Sequence, residues 1–192
     1  AEFRPVLDLV HGIVAESASK LIDEQDPRDW HFRLFQSFVP LDYYAGIYRQ
    51  DAAALPCLAV NVAVAGVPGS HFENVIDEVS GLFEWTRQWA SVLQENWTEW
   101  MPGQRAVQVA YWLANLVGNF IRIHPFINGN GRTSRLLWTW GLLRHGVPVQ
   151  CRTSPRPTEP VYGQIMSDAM KGSNYRLALY ILEHLGKHPP SF

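Results

Sequence analysis

His124-Pro125-Phe126-Ile127-Asn128-Gly129-Asn130-Gly131-Arg132-Thr133-Ser134-Arg135 stands between two apolar runs, residues 106–123 before it and 136–143 after it. A helix, a loop and a helix therefore follow one another, with the unusual composition confined to the loop. Pro125 disfavours the helical region for His124, so the incoming helix stops there. Gly129 and Gly131 permit backbone conformations closed to other residues, and Asn130 between them tolerates the left-handed region. The next helix begins near Gly131 or Arg132, with its first N–H groups facing back into the loop. Such a helix start attracts anions. Arg132 and Arg135 are three apart and share one face of the first turn. Their planar forks suit phosphate oxygens. A Gly-Asn-Gly turn alone is often only a turn, and a lone histidine is often structural. Two arginines opening a helix are less ordinary, because they oppose its dipole unless an anion is present. The stretch reads as a polyphosphate cradle with a histidine at its edge.

The same twelve residues resemble the signature of the Fic family (filamentation induced by cAMP), His-Pro-Phe-x-Asp/Glu-Gly-Asn-Gly-Arg-x-x-Arg. Every fixed position matches but one: Asn128 stands where the family has a carboxylate. The resemblance implies a mainly α fold, a helical bundle around a central helix-loop-helix with a small β-hairpin flap. It implies a nucleotidyltransferase, a protein adenylyltransferase that moves AMP from ATP to a Ser, Thr or Tyr hydroxyl of a target protein, with Mg²⁺ as cofactor. His124 would be the general base. The backbone around Gly129 and Gly131, the Asn130 amide, Arg132 and Arg135 would bind the nucleotide phosphates, with Asn130 facing the α-phosphate. Phe126 would be a buried anchor for the loop. The chemistry agrees independently, since a histidine with an unperturbed pKa of about 6.5 can take a hydroxyl proton near neutral pH.

Two glycines discriminate between branches of the family. The kinase-like Doc branch carries lysine at the position of Gly131, and a phosphocholine-transferring branch lacks the glycine at the position of Gly129. Both glycines are present, which favours AMP transfer over transfer of a different group or nucleotide. Asn128 is the departure. The family's carboxylate coordinates Mg²⁺, a hard cation normally held by carboxylates, phosphates and waters. A neutral amide leaves a weak or water-mediated ligand. Three readings stay open: an enzyme with weakened metal binding, a substitution that traps substrate, or a catalytically weak nucleotide-binding and protein-docking module.

The composition bounds the remaining classes. With 192 residues, 47% of them hydrophobic, the chain suits a single domain over 1–192 with a sizeable core. A net charge of −2 makes no case for nucleic acid. No apolar run reaches membrane-spanning length. Cys57 and Cys151 have no metal spacing, and a disulfide between them stays open. No signal peptide is visible, and the start at Ala1-Glu2-Phe3 suggests trimming. The expected location is the cytoplasm, or a host cell if the protein is a delivered effector.

Along the chain, an N-terminal helix is expected within residues 1–25, ended by Gln25-Asp26-Pro27, and a second over 29–38. Ala45-Gly46-Ile47-Tyr48-Arg49 resembles the segment that precedes the family's flap. Residues 55–67 have strand character, with Leu58, Val60, Val62 and Val64 alternating with smaller residues. By resemblance this is the flap that docks an extended target segment by strand addition. A small structural hairpin is the competing reading. Helices are expected over 72–95, 104–123, 132–144, 162–171 and 174–186, with Pro102 and Gly103 breaking the chain and residues 104–145 forming the core helix-loop-helix. Trp97 and Trp100 are candidates for an exposed contact surface. Many family members are restrained by a Ser/Thr-x-x-x-Glu-Gly/Asn helix, on the chain or on a separate antitoxin-like partner. Ser91-Val92-Leu93-Gln94-Glu95-Asn96 matches that pattern. It lies inside a core helix, so a chance match competes with an inhibitory role for Glu95.

Overall fold

A computed structural model describes residues 8–9, 12–13, 16, 19–37, 39, 44–51, 56–146 and 160–187. The elements are α1 (Gln25–Phe35), β1 (Ala63–Val64), β2 (Val67–Pro68), α2 (Val75–Glu95), α3 (Pro102–Ile123), α4 (Asn130–Arg144), α5 (Pro160–Met170) and α6 (Tyr175–Lys187). Short 3₁₀ turns occupy Pro56–Leu58 and Phe72–Asn74. The mainly α architecture with one small hairpin agrees with the sequence reading. Most of the expected first helix lies outside the described residues, as do 147–159, with Cys151, and the tail from 188. Of the first helix, Leu9 and Ile13 are helical and buried.

α3 is the axis of the bundle. Its apolar residues run almost all round, so it must be covered on most sides. Trp112, Leu113, Ala114, Leu116, Val117 and Phe120 are buried, and α2, α4, α5 and α6 all pack against it. The one polar atom of the Trp112 side chain is satisfied, because its indole N–H donates to the Thr86 carbonyl at 3.1 Å. α4 lies so close that a Cβ at Gly141 would overlap Leu113 Cδ2. Gly141→Ala would gain about 1 kcal/mol of helix propensity, but the overlap with a packed side chain costs about 1–3 kcal/mol. The clash wins, and chemical denaturation of the variant should show a lower midpoint than wild type.

Several boundaries correct the sequence reading. Gln25-Asp26-Pro27 opens α1 instead of ending a helix, and α1 stops at Phe35 instead of running to 38. Pro102 and Gly103 likewise start α3 instead of breaking the chain. Proline fits the first turn of a helix, where its missing N–H would have no partner anyway. Met101 N–H, just ahead of α3, is capped by Gln104 Oε1 at 2.9 Å. α4 begins at Asn130, ahead of the expected start at Gly131 or Arg132.

The strand expected over 55–67 is a much shorter hairpin. Ala63 pairs with Pro68 and Val64 with Val67, around an Ala65-Gly66 turn in which both residues have positive φ, 49° and 80°. That is the geometry of a two-residue hairpin turn whose twist matches its strands. Leu58 lies in the 3₁₀ turn and is 1% exposed. It belongs to the core and does not serve as a docking position. Val60 and Val64 are exposed and Val62 is half-buried. Trp97 and Trp100 are half-buried against the core instead of forming an exposed patch. Trp97 stacks on His145 with ring centroids 5.3 Å apart.

Candidate functional site

The loop between α3 and α4 is built from the backbone outward. His124 terminates α3 in the left-handed region, at φ 54° and ψ 58°. A non-glycine residue there costs roughly 1–2 kcal/mol, so its surroundings must hold it. Arg49 is the main restraint. It is 0% exposed, and its guanidinium donates to four backbone carbonyls. Nε reaches His124 O at 2.8 Å, Nη1 reaches Val60 O at 2.9 Å, and Nη2 reaches Ser70 O and Ile123 O at 2.8 and 2.9 Å. Arg49 N–H also donates to Pro125 O at 2.9 Å. One side chain thus ties both ends of the hairpin segment to the end of α3. Burial disfavours the guanidinium charge, and nearby Glu78 favours it.

Phe126 is the buried anchor the sequence suggested. Its ring stacks on His31 with centroids 3.9 Å apart, and it is 1% exposed. His31 is a residue the sequence reading did not single out. Its Nδ1 accepts from Gly46 N–H at 2.9 Å. Nε2 therefore carries the proton and donates to Asn128 O at 3.0 Å. The imidazole joins the Ala-Gly-x-Tyr-Arg segment to the loop and must be neutral to do so. Burial, partly offset by the bond to Asn128, lowers its pKa from 6.5 to about 4. A histidine depressed in the folded state withholds protons that the unfolded chain binds. Stability is therefore complete above pH 6.5 and falls as the pH drops toward 4. The full effect is about 3 kcal/mol at 1.36 kcal/mol per tenfold. Half-buried His145 titrates in the same window, also lowered to about 4. Thermal melts between pH 7 and 4 should show a falling Tm, with a shallower slope in His31→Phe.

Asn130 corrects the sequence reading. It is 2% exposed, and its Oδ1 accepts from Phe126 N–H at 2.9 Å while its Nδ2 donates to Phe126 O at 2.7 Å. An amide matches a peptide's donor and acceptor in this way. The side chain braces the loop instead of facing a phosphate. Gly129 is required for two reasons. Its φ is 81°, and a Cβ would lie 2.5 Å from Phe35 Cε2 and 2.8 Å from His31 Nε2. Gly131 needs no special backbone conformation. A Cβ there would meet only Arg135 Nη1, at 3.7 Å. Its lack of a side chain keeps space open beside that arginine.

That space belongs to a cavity of about 430 Å³. His124, Asn128, Gly129, Gly131, Arg132, Ser134 and Arg135 form one wall, and Val64 and Ala65 at the hairpin tip form another. Tyr162, Gly163, Met166, Ser167 and Met170 of α5 close it on a side that no local signal in the sequence announces. His124 Nδ1–H donates to Ile121 O at 3.3 Å, so its Nε2 carries the lone pair. Burial lowers its pKa, the bond to Ile121 opposes that, and Arg49 lowers it further. The hairpin leaves this histidine little room, since a Cβ at Gly69 would lie 3.0 Å from His124 Cβ. Val62 O accepts from Gly69 N–H at 2.9 Å. With that carbonyl turned toward β2, the polar backbone groups of Ala63 point to the opposite edge.

Two expectations fail in this geometry. Asn128 Oδ1, the expected metal ligand, accepts from Gly129 N–H at 2.7 Å, and among the described residues no Asp or Glu lines the cavity. The residues present do not fit a Mg²⁺ site. Glu95 is exposed at the far end of α2, near the start of α3. The 22 residues of α3, at 1.5 Å each, separate it from the loop by roughly 33 Å. It does not reach Arg135.

BepC, a VirB-translocated effector protein from Bartonella tribocorum with bound AMPPNP, superposes with a TM-score of 0.60 at 16% identity, covering 98% of this chain and 86% of that one. A Fic-domain-containing signaling protein from Bacteroides thetaiotaomicron superposes with a TM-score of 0.62 at 21% identity, covering 97% and 66%. At these identities the likeness concerns the fold. No curated protein matches the sequence. The family model for the Fic/DOC family matches residues 21–142, a span that takes in α1, the hairpin, α3, the loop and most of α4. With that span and the signature at 124–135 in agreement, the chain belongs to the Fic/DOC family.

Proposed function

We propose that this chain transfers the AMP moiety of ATP to a hydroxyl side chain of a protein substrate. The observation that carries the reading is the cavity in which His124, Arg132, Arg135 and the N-terminus of α4 converge beneath the hairpin tip. The family's Fic-type nucleotide transfer supports it, as does the AMPPNP bound to the Bartonella effector. In the reaction the target hydroxyl oxygen attacks the α-phosphorus. Its proton passes to His124 Nε2, the bond from the α-phosphorus to the bridging oxygen breaks, and pyrophosphate leaves. The hydrogen bond from Nδ1 to Ile121 fixes the tautomer that makes Nε2 the acceptor. The lowered pKa keeps the imidazole neutral at pH 7. Arg132, Arg135 and the α4 N-terminus offset the charge on the phosphates. Val62, Val64 and the free edge at Ala63 present the target as an added strand.

Incubation with ATP and a lysate, followed by mass spectrometry, should find proteins heavier by one AMP unit on Ser, Thr or Tyr. A gain of one phosphate group instead would contradict AMP transfer. A second reading, a nucleotide-binding module with little turnover, draws on Asn128 in place of the family's carboxylate. It predicts ATP binding with no modified protein.

A further inference from the structure

We propose that this pocket takes its nucleotide as the metal-free polyphosphate, without a divalent cation. The inference rests on the nucleotide reading above and concerns how the same site balances charge. Among the described residues, the basic side chains lining the cavity are His124, Arg132 and Arg135, and no carboxylate lines it. Both oxygens of Asn128 already accept a hydrogen bond. Oδ1 accepts from Gly129 N–H at 2.7 Å, and the backbone oxygen accepts from His31 Nε2–H at 3.0 Å. Among the described residues, no group of three or more His, Cys, Asp or Glu side chains could hold a metal. A Mg²⁺ ion entering with the phosphates would find no carboxylate among the described lining residues and would sit among two guanidinium groups and the positive end of α4.

The same features suit a bare polyphosphate. Arg132 and Arg135 are cationic side chains that offer forked donors. The N-terminus of α4 adds N–H donors aimed at the loop. These groups supply the neutralisation that a bridging cation supplies elsewhere, so Mg²⁺ bound to ATP in solution competes with the arginines for the phosphate oxygens. Asn128 is thereby the residue that sets the metal response. A carboxylate there would repel bare phosphate and attract the cation, and the response would change sign.

Isothermal titration of the full chain with ATP, once in EDTA and once in excess MgCl₂, tests this, with Asn128→Asp alongside. Wild type should bind ATP in EDTA at least as tightly as in MgCl₂. Asn128→Asp should bind about tenfold or more weakly in EDTA than in MgCl₂. Wild-type binding more than about threefold weaker in EDTA would overturn the metal-free reading and leave nucleotide binding standing. A wild-type chain that binds ATP under neither condition would overturn the nucleotide reading itself. A metal response identical in wild type and Asn128→Asp would overturn the role given to Asn128.

Discussion

Arg49→Met should cost the fold about 4 kcal/mol or more in chemical denaturation. Methionine matches much of the apolar stem and removes the guanidinium. Four carbonyls, those of His124, Ile123, Val60 and Ser70, then lose a donor at once. A buried acceptor left unmade costs about 1–3 kcal/mol, and water can rescue only those nearest the surface. The strained backbone at His124 loses its main restraint in the same step. Arg49→Lys should recover little, because one compact ammonium cannot span four acceptors spread over two segments. A loss below about 1 kcal/mol for Arg49→Met would contradict the view that this residue organises the site. Ser70 Oγ and Arg122 Nη2 both bond Glu78 Oε2, at 2.8 and 2.9 Å, so a second, more exposed set of bonds fastens the exit of the hairpin. The hairpin should therefore loosen in the variant without detaching.

Substituting His124 should lower transfer by about 10²–10⁴-fold, the usual contribution of a general base, while ATP binding changes little. His124→Ala removes the base and leaves Arg132 and Arg135 in place. His124→Asn also removes it and tolerates the left-handed backbone better, so a loss shared by both variants reports chemistry and not folding. The pH profile gives a separate reading. Burial and Arg49 lower the His124 pKa below its usual 6.5. The imidazole is neutral above that lowered value and charged below it. The wild-type rate should therefore be flat through neutrality and fall only at a pH below the ordinary histidine range. A midpoint at or above 6.5 would contradict the environment described for Nε2.

The parts of this fold that the sequence made legible are those with a local cause. Pro125 stops α3 at His124 through its clash with the preceding residue, and Gly129 takes a positive φ, which glycine adopts at no steric cost. α3 is legible because its apolar residues are continuous. What escaped depends on contacts between distant positions. His31 meets Asn128 across 97 residues, and Arg49 meets His124 across 75. Neither separation leaves a periodic trace. Arg49 did stand in the Ala-Gly-x-Tyr-Arg segment, but its spacing could not say that four carbonyls would converge on it. Asn130 was misplaced for a similar reason, since its amide serves Phe126 as readily as it would a phosphate. Proline was ambiguous by nature, because it ends one helix and begins another. The alternation over 55–67 also misled, since buried Leu58 and exposed Val60 and Val64 look alike in sequence.

The central claim is that residues 124–135 direct nucleotidyl transfer with His124 as base, and ATP labelled at one chosen phosphate tests it most directly. Protein incubated with α-labelled ATP and a lysate should carry the label, the γ-label should leave with pyrophosphate, and His124→Ala should abolish the α-signal. Retention of the γ-label on protein, or α-labelling undiminished in His124→Ala, would contradict it.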